Sequence, residues 1–378
     1  MKIAIVRREC GLGLGGAEGY CENVARGLKG LGHDVTVVSR LSKIHDKEIS
    51  WLRVPIFGRG SILKNMSYFF SAAKILKRHK FHLIYGLSRI ANADFLRISD
   101  PLHAEWLERG YSSHPLPFNI RKHLPRHASL LWQEKKAISS AKFIITNSNL
   151  VRHQVVRHYR IHPDKIFTVY NGVDLTRFKP PSRHRKKELR KGLGLPEDAT
   201  LLLFVGADVR RKGLIPLLKA VSALKSTSYN THVAAAGFTP SSSIKRLIQE
   251  LGIENRVHFL GFRTDTEKVY GAGDLLCLPT SYDPFANVCL EAMACGLPVL
   301  TTKWNGASEL VEQVASYLVI KSPEAASIHA ALEKWFNLQD FEKEKLSTDF
   351  ATLAQGFGLD DHVYRLHNVF EKALLPGV

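Results

Sequence analysis

Short apolar runs rich in β-branched and aromatic residues recur along the chain, separated by amphipathic stretches. KIAIV, HDVTVVS, HLIYG and KFIITNS mark the first half, and TLLLFVG, HVAAAG, VHFLG, DLLCLPT and PVLTT mark the second. Continuous apolar runs of this length, spaced by helical patterns, predict βα units with parallel strands buried on both faces. Each half opens with a strand, a glycine-containing loop and a helix. The expectation is an α/β protein of two doubly wound domains facing each other across a cleft.

The boundary falls at NGVDLTRFKPP, residues 171–181, where turn residues and a proline pair interrupt the rhythm. Residues 1–172 are expected to form the first domain, 173–357 the second, and 358–378 a helix that returns to the first. The basic run SRHRKKELRK that follows the boundary reads as the solvated first helix of the second domain.

The hydrophobic fraction of 45% and the charged fraction of 23% exclude disordered and fibrous classes. A length of 378 residues supports two cores. The net charge of +18 asks for an anionic partner: nucleic acid, an anionic membrane face or a phosphorylated substrate. Nucleic acid is disfavoured, because the basic residues are scattered over both halves and no helix-turn-helix or zinc-finger pattern is present. Cys10, Cys21, Cys277, Cys289 and Cys295 form an odd set without a C-x-x-C pair, which argues against a disulfide framework and for a reducing compartment. KIAIV is too short for a signal-peptide core, and no run approaches the ~18 apolar residues of a membrane span. The expected location is cytoplasmic, with peripheral contact to the inner face of the cytoplasmic membrane. Trp106, Tyr111, Phe118 and Trp132 interleaved with Arg109, Arg121, Lys122 and Lys135, together with NMSYFFSAAKILKRHK, suit such an interface.

Four constellations carry chemistry. In YDPFANVCLEAMACGLPV, Asp283 lies in a loop after a strand and Glu291 lies about two turns into the next helix. Phe285, Ala286, Asn287 and Val288 are expected to form that helix's first turn, where free N–H groups hold phosphate or sugar oxygens. A carboxylate at Glu291 suits a ribose diol. On these residues alone, a helix-capping Asp283 and a surface Glu291 stand equally well. In FVGADVRRKGL, Arg211 and Lys212 follow a strand and precede Gly213, an arrangement suited to a diphosphate. GLGLGGAE follows the first strand, and its glycines, Gly15 and Gly16 among them, permit close approach to a phosphate or acceptor. The spacing departs from the dinucleotide fingerprint G-x-G-x-x-G. In RISDPLHAEW, Asp100 and His103 form a carboxylate and imidazole pair able to orient a hydroxyl and handle its proton. No D-x-D triad and no His or Cys cluster with metal spacing is found, so neither metal nor cofactor is expected.

The two acids Asp283 and Glu291, separated by seven residues ahead of a G-x-P turn, resemble the family 4 retaining glycosyltransferases. The resemblance extends over nearly the whole chain and implies the GT-B arrangement of two Rossmann-like domains. It departs in having Asp283 where Glu is usual and Ala207 where many members carry Arg. It implies that Arg211 and Lys212 grip the donor phosphates, with Glu291 and the backbone around Gly261 and Phe262 holding the rest of the donor. Gly15 and Gly16 would lie beside the diphosphate, Asp283 would reach a donor-sugar hydroxyl, and Asp100 with His103 would receive the acceptor. VGADVRRKG and DPLHAEW together are similar to the lipopolysaccharide core glucosyltransferase I group, which implies retaining transfer from UDP-glucose to a lipid-linked saccharide. GDP-mannose or UDP-N-acetylglucosamine as donor, a sugar-nucleotide 2-epimerase on the same fold, a nucleotide-sugar sensor and a basic nucleic-acid-binding protein are the rival readings.

Overall fold

The apolar runs form parallel strands, and they do so in two separate sheets. The computed structural model describes residues 1–11, 16–44, 46–109, 118–224 and 230–374. Unit 1 comprises Met1–Tyr170 with Leu359–Val378, and unit 2 comprises Asn171–Gly358.

Unit 1 contains β1 (Lys2–Val6), β2 (Glu9–Cys10), β3 (Asp34–Ser39), β4 (Leu41–Ser42), β5 (Ser50–Arg53), β6 (Leu83–Gly86), β7 (Phe95–Ile98), β8 (Phe143–Thr146) and β9 (Ile166–Thr168). Seven of them make one parallel sheet in the order β5-β3-β1-β6-β7-β8-β9, while β2 and β4 pair apart. The continuous run of β1 follows from burial on both faces. Ile3 and Ile5 pack with Val24, Leu28 and the C-terminal helix on one side. Ala4 and Val6 pack with Tyr68, Phe69 and Ala72 on the other.

The helix Leu359–Leu374 lies against helix Gly16–Gly30, so closely that a Cβ on Gly27 would fall 2.5 Å from a Val363 methyl. His362 pins it further. Its Nδ1 lies 2.6 Å from the Tyr170 carbonyl and its Nε2 lies 2.9 Å from the Tyr20 hydroxyl. A carbonyl only accepts, so Nδ1 carries the proton and Nε2 accepts from Tyr20. Burial, reinforced by Arg97, pushes His362 down to about 3, so the ring stays neutral.

Cys10 and Cys21 form a disulfide, which corrects the expectation that the odd cysteine set argues against a disulfide framework. Cys10 ends β2 and Cys21 lies in the second turn of helix Gly16–Gly30, and their Cα atoms are 5.7 Å apart, within bridging range. Cys277, Cys289 and Cys295 are buried free thiols.

Unit 2 contains β10 (Thr200–Val205), β11 (Thr231–Ala236), β12 (Val257–Gly261), β13 (Leu275–Leu278), β14 (Val299–Thr302) and β15 (Val319–Ile320), in the parallel order β12-β11-β10-β13-β14-β15. The order reverses between β10 and β13, which makes the carboxyl ends of these two strands the switch point of the sheet. The basic run forms helix Arg183–Gly192, capped by the Ser182 hydroxyl. Most of its charges are solvated as expected, but Arg190 is buried. It donates to the carbonyls of Ala272, Glu197 and Ala199 and pairs with Asp274 at 2.6 Å.

Phe370 is fully buried against Tyr85 and Phe95, with ring centroids 5.1 and 4.8 Å away. Phe370→Ala is expected to cost about 3–5 kcal/mol, seen as a lowered urea midpoint for unit 1.

Candidate functional site

In unit 2 the loops after β10 and β13 meet at the point where strand order reverses. The β10 loop ends at Gly213, whose φ of +86° and whose absent Cβ are both required. A Cβ there would fall 2.2 Å from the Pro279 carbonyl oxygen. This approach sets Arg211 and Lys212 against the end of β13, where the Arg211 carbonyl accepts from Ser281 N at 2.8 Å and Thr280 Oγ1 at 2.9 Å.

Asp283 joins the two loops. Its Oδ2 accepts from Lys212 Nζ at 2.7 Å and Arg211 Nη1 at 2.8 Å, and its Oδ1 accepts from Phe285 N at 3.2 Å. The residue is only 7% exposed. Burial alone would raise its pKa, but Lys212 and Arg211 outweigh that and hold the carboxyl below the usual range. Both oxygens are therefore engaged within the protein. The expected reach of this side chain toward a sugar hydroxyl is not what this geometry presents.

The following helix runs Asn287–Ala294, two residues later than expected. The reason is local: Phe285 N is taken by Asp283 Oδ1 and Ala286 N by Asn305 Oδ1 at 3.1 Å, so both lie in the loop. The N–H groups of Asn287 and Val288 then open the helix without an acceptor among the described residues. Glu291, one turn further, is partly buried. Its Oε2 accepts from the Tyr270 hydroxyl at 2.7 Å, which fixes the carboxylate's orientation. Burial pushes Glu291 up, and the Tyr270 hydrogen bond opposes this in part. At the end of β12, Gly261 adopts φ +66° and Phe262 stands 76% exposed.

Two supporting residues escaped the sequence reading. Tyr270 sits in the buried second half of helix Thr266–Ala272, and the only signal was that a buried phenol needs a partner. Asn305 is fully buried and binds Ala286 N, Ala307 N and Thr301 Oγ1. Nothing in its local sequence marks it.

In unit 1 a cavity of about 340 Å³ opens at the ends of β1, β6 and β7. Asp100 lines it, half exposed, and accepts from Arg7 Nη1 at 3.2 Å. His103 is close in sequence but does not line the cavity. It is buried, its Nε2 lies 3.0 Å from His127 Nδ1, and its ring stacks on Trp106. Burial, only partly countered by Glu134, pushes it down to about 4, so the imidazole is neutral. Gly16 begins helix Gly16–Gly30, and Gly15 lies outside the described residues. Folding also gathers Glu105, Glu108 and His158 with ligand atoms within 4.8 Å of one another, a group invisible in the sequence. Glu105 is already matched there by Arg109, Arg157 and His158.

Residues 14–177 match the glycosyltransferase family 4 pattern, and residues 185–352 match glycosyl transferases group 1. The chain is 26% identical over 314 residues to the lipopolysaccharide glucosyltransferase WaaG of Escherichia coli K12, covering 82% of each. It is 27% identical over 254 residues to the D-inositol 3-phosphate glycosyltransferase of Corynebacterium kroppenstedtii, covering 65% of this chain and 56% of that protein. The matched stretch thus spans little more than half of that relative. The crystal structure of WaaG superposes with a TM-score of 0.79 at 22% identity, covering 97% of this chain and 99% of that one. Anabaena HepE in complex with UDP and glucose superposes with a TM-score of 0.73 at 21% identity, covering 98% and 99%. These likenesses place the fold of each unit among GT-B enzymes.

Removing the Tyr270 hydroxyl takes away a hydrogen bond that favours ionised Glu291. In Tyr270→Phe, the Glu291 titration followed by carboxyl NMR is expected to move to higher pH, with the fold unchanged by circular dichroism.

Proposed function

The chain belongs to glycosyltransferase family 4, and from that premise we propose that it moves a hexose from UDP-glucose to a membrane-associated glycolipid of the lipopolysaccharide-core type, with retention and without a metal. The observation that carries this reading is the cation pair Arg211 and Lys212 held at the switch point of the unit 2 sheet by one buried carboxylate. As the glycosidic bond to a diphosphate breaks, negative charge grows on the leaving group. Two cations fixed beforehand stabilise it without reorganising, which is the task a metal ion performs elsewhere. The open N–H groups of Asn287 and Val288 add donors for the same oxygens.

Glu291, oriented through Oε2 by Tyr270, leaves its second oxygen for the ribose diol. Exposed Phe262 beside Gly261 offers a face for the base. Asp283 is tied by both oxygens and is not set up as a nucleophile, which favours a retaining route in which the departing diphosphate assists the incoming hydroxyl. Asp100 in the unit 1 cavity is assigned to orienting the acceptor hydroxyl. UDP and glucose in HepE and the lipopolysaccharide role of WaaG support the choice of donor and acceptor class.

A surface on unit 1 supports the membrane location. Helices Gly60–Arg78 and Pro125–Ser140 pack side by side and leave Phe70 55% and Trp132 45% exposed, with ring centroids 6.2 Å apart. Leu63, Phe57 and Leu124 are exposed as well. Not every residue expected at this interface belongs to it: Arg121 is buried, and Tyr111 lies outside the described residues. Among the described residues no helix is long and apolar enough to cross a membrane.

In EDTA, calorimetry is expected to show UDP-glucose binding that Lys212→Ala and Glu291→Ala each weaken by roughly 1.5–3 kcal/mol. Binding that needs an added divalent metal, or no binding of UDP-glucose, GDP-mannose or UDP-N-acetylglucosamine, rejects the reading. Donor affinity should also fall as pH drops through the raised Glu291 pKa, above the ~4.3 of an ordinary glutamate. Vesicles with anionic lipid should pellet the protein at low salt and lose it at high salt. A Phe70→Ser, Trp132→Ser double variant that pellets as well as the parent protein rules this surface out.

A further inference from the structure

One wall of the unit 1 cavity is left unexplained by a neutral sugar acceptor. Arg7 and Arg8 follow β1, and Ser88 and Arg89 follow the adjacent strand β6, so three arginines converge where the strand order reverses. Two of them are neutralised within the protein. Arg7 pairs with Asp100 at 3.2 Å and Glu18 at 3.3 Å, and Arg89 pairs with Glu134 at 3.1 Å. Arg8 differs. Its Nη1 donates to the neutral Asn65 Oδ1 at 2.7 Å, and no carboxylate lies within ion-pair distance of it among the described residues. A half-buried guanidinium without a counter-charge is poorly compensated, and its planar fork matches phosphate oxygens.

Tyr68 gives a second, independent pointer. It lines the cavity at 4% exposure, and its hydroxyl lies beside Ser88 without meeting hydrogen-bond geometry. A buried hydroxyl in that state is one a ligand oxygen would satisfy. Leu96, Leu102 and Ile138 form an apolar floor suited to the C–H face of a sugar ring. The volume of about 340 Å³ lies within the range of small-ligand sites.

We propose that this cavity binds a saccharide carrying a phosphate group, with the phosphate on Arg8 and a ring hydroxyl on Asp100. Naming that saccharide the acceptor rests on the transferase reading; the recognition of a sugar phosphate by the cavity does not. Glucose, glucose 6-phosphate and inorganic phosphate serve as probes, titrated by calorimetry into the full chain carrying Lys212→Ala, which weakens the competing phosphate site of unit 2.

Glucose 6-phosphate is expected to bind at least about tenfold more tightly than glucose or phosphate alone. Arg8→Gln should erase that preference, and Arg8→Lys, which keeps the charge, should retain part of it with the same thermal midpoint. Equal binding of glucose and glucose 6-phosphate, or a preference that survives Arg8→Gln, overturns the proposal. UDP-glucose titrated separately into the chain with Lys212 intact reports on the donor reading, so the failure of one is distinguishable from the failure of the other.

Discussion

The carboxylate of Asp283 is the point on which unit 2 turns. Two cations brought side by side on one short loop repel each other, and in a poorly solvated site the repulsion is not screened. A single oxygen accepting from both removes the conflict and ties the β10 loop to the β13 loop. The close approach of Gly213 to Pro279 does the same through the backbone. Deleting the acid would leave Lys212 buried without a counter-charge, while Arg211 would keep Asp208 at 3.1 Å. The family resemblance implied that this acid reaches outward to a sugar. Its carboxylate instead lies on its own cations. It holds Arg211 and Lys212 in place together.

The sequence made the interior of both sheets legible and their margins illegible. KIAIV and TLLLFV are continuous because both faces of β1 and β10 are covered. β5 carries only SWLR, with three of its four residues exposed, so no apolar run announces it. β15 is two residues long. The same contrast holds at the site. Arg211, Lys212 and Glu291 were readable because their neighbours in sequence carry the signal. Tyr270 meets its partner 21 residues away and Asn305 meets Ala286 across 19, and neither residue type betrays that pairing. Spacing misled for the cysteines: Cys10 and Cys21 lie 11 apart with no motif, yet the end of β2 and the helix Gly16–Gly30 bring them together. Proximity misled for Asp100 and His103, which one helix start turns to different surroundings, the acid into the cavity and the imidazole onto His127.

The net charge also divides on closer view. Arg190 and Arg97 are buried and hold carbonyl groups of the framework, so they are structural cations and not an invitation to a partner. Arginines and a lysine also stand at the reversal points of the two sheets, after β1 and β6 in unit 1 and after β10 in unit 2. The doubly wound topology thus repeats one electrostatic arrangement twice, once with its anion built in as Asp283 and once with Arg8 left open.

The return of helix Leu359–Leu374 to unit 1 orders the birth of the molecule. Phe370, Leu366 and Val363 belong to the same core as Ile3 and Ile5, yet they leave the ribosome only after all of unit 2 has been made. Until then the first 170 residues expose an apolar strip along helix Gly16–Gly30 that only the last helix covers. Unit 2, contiguous in the chain, is free to fold before unit 1 is sealed. A nascent chain halted between the two would be a folded unit 2 trailing an unfinished, adhesive unit 1.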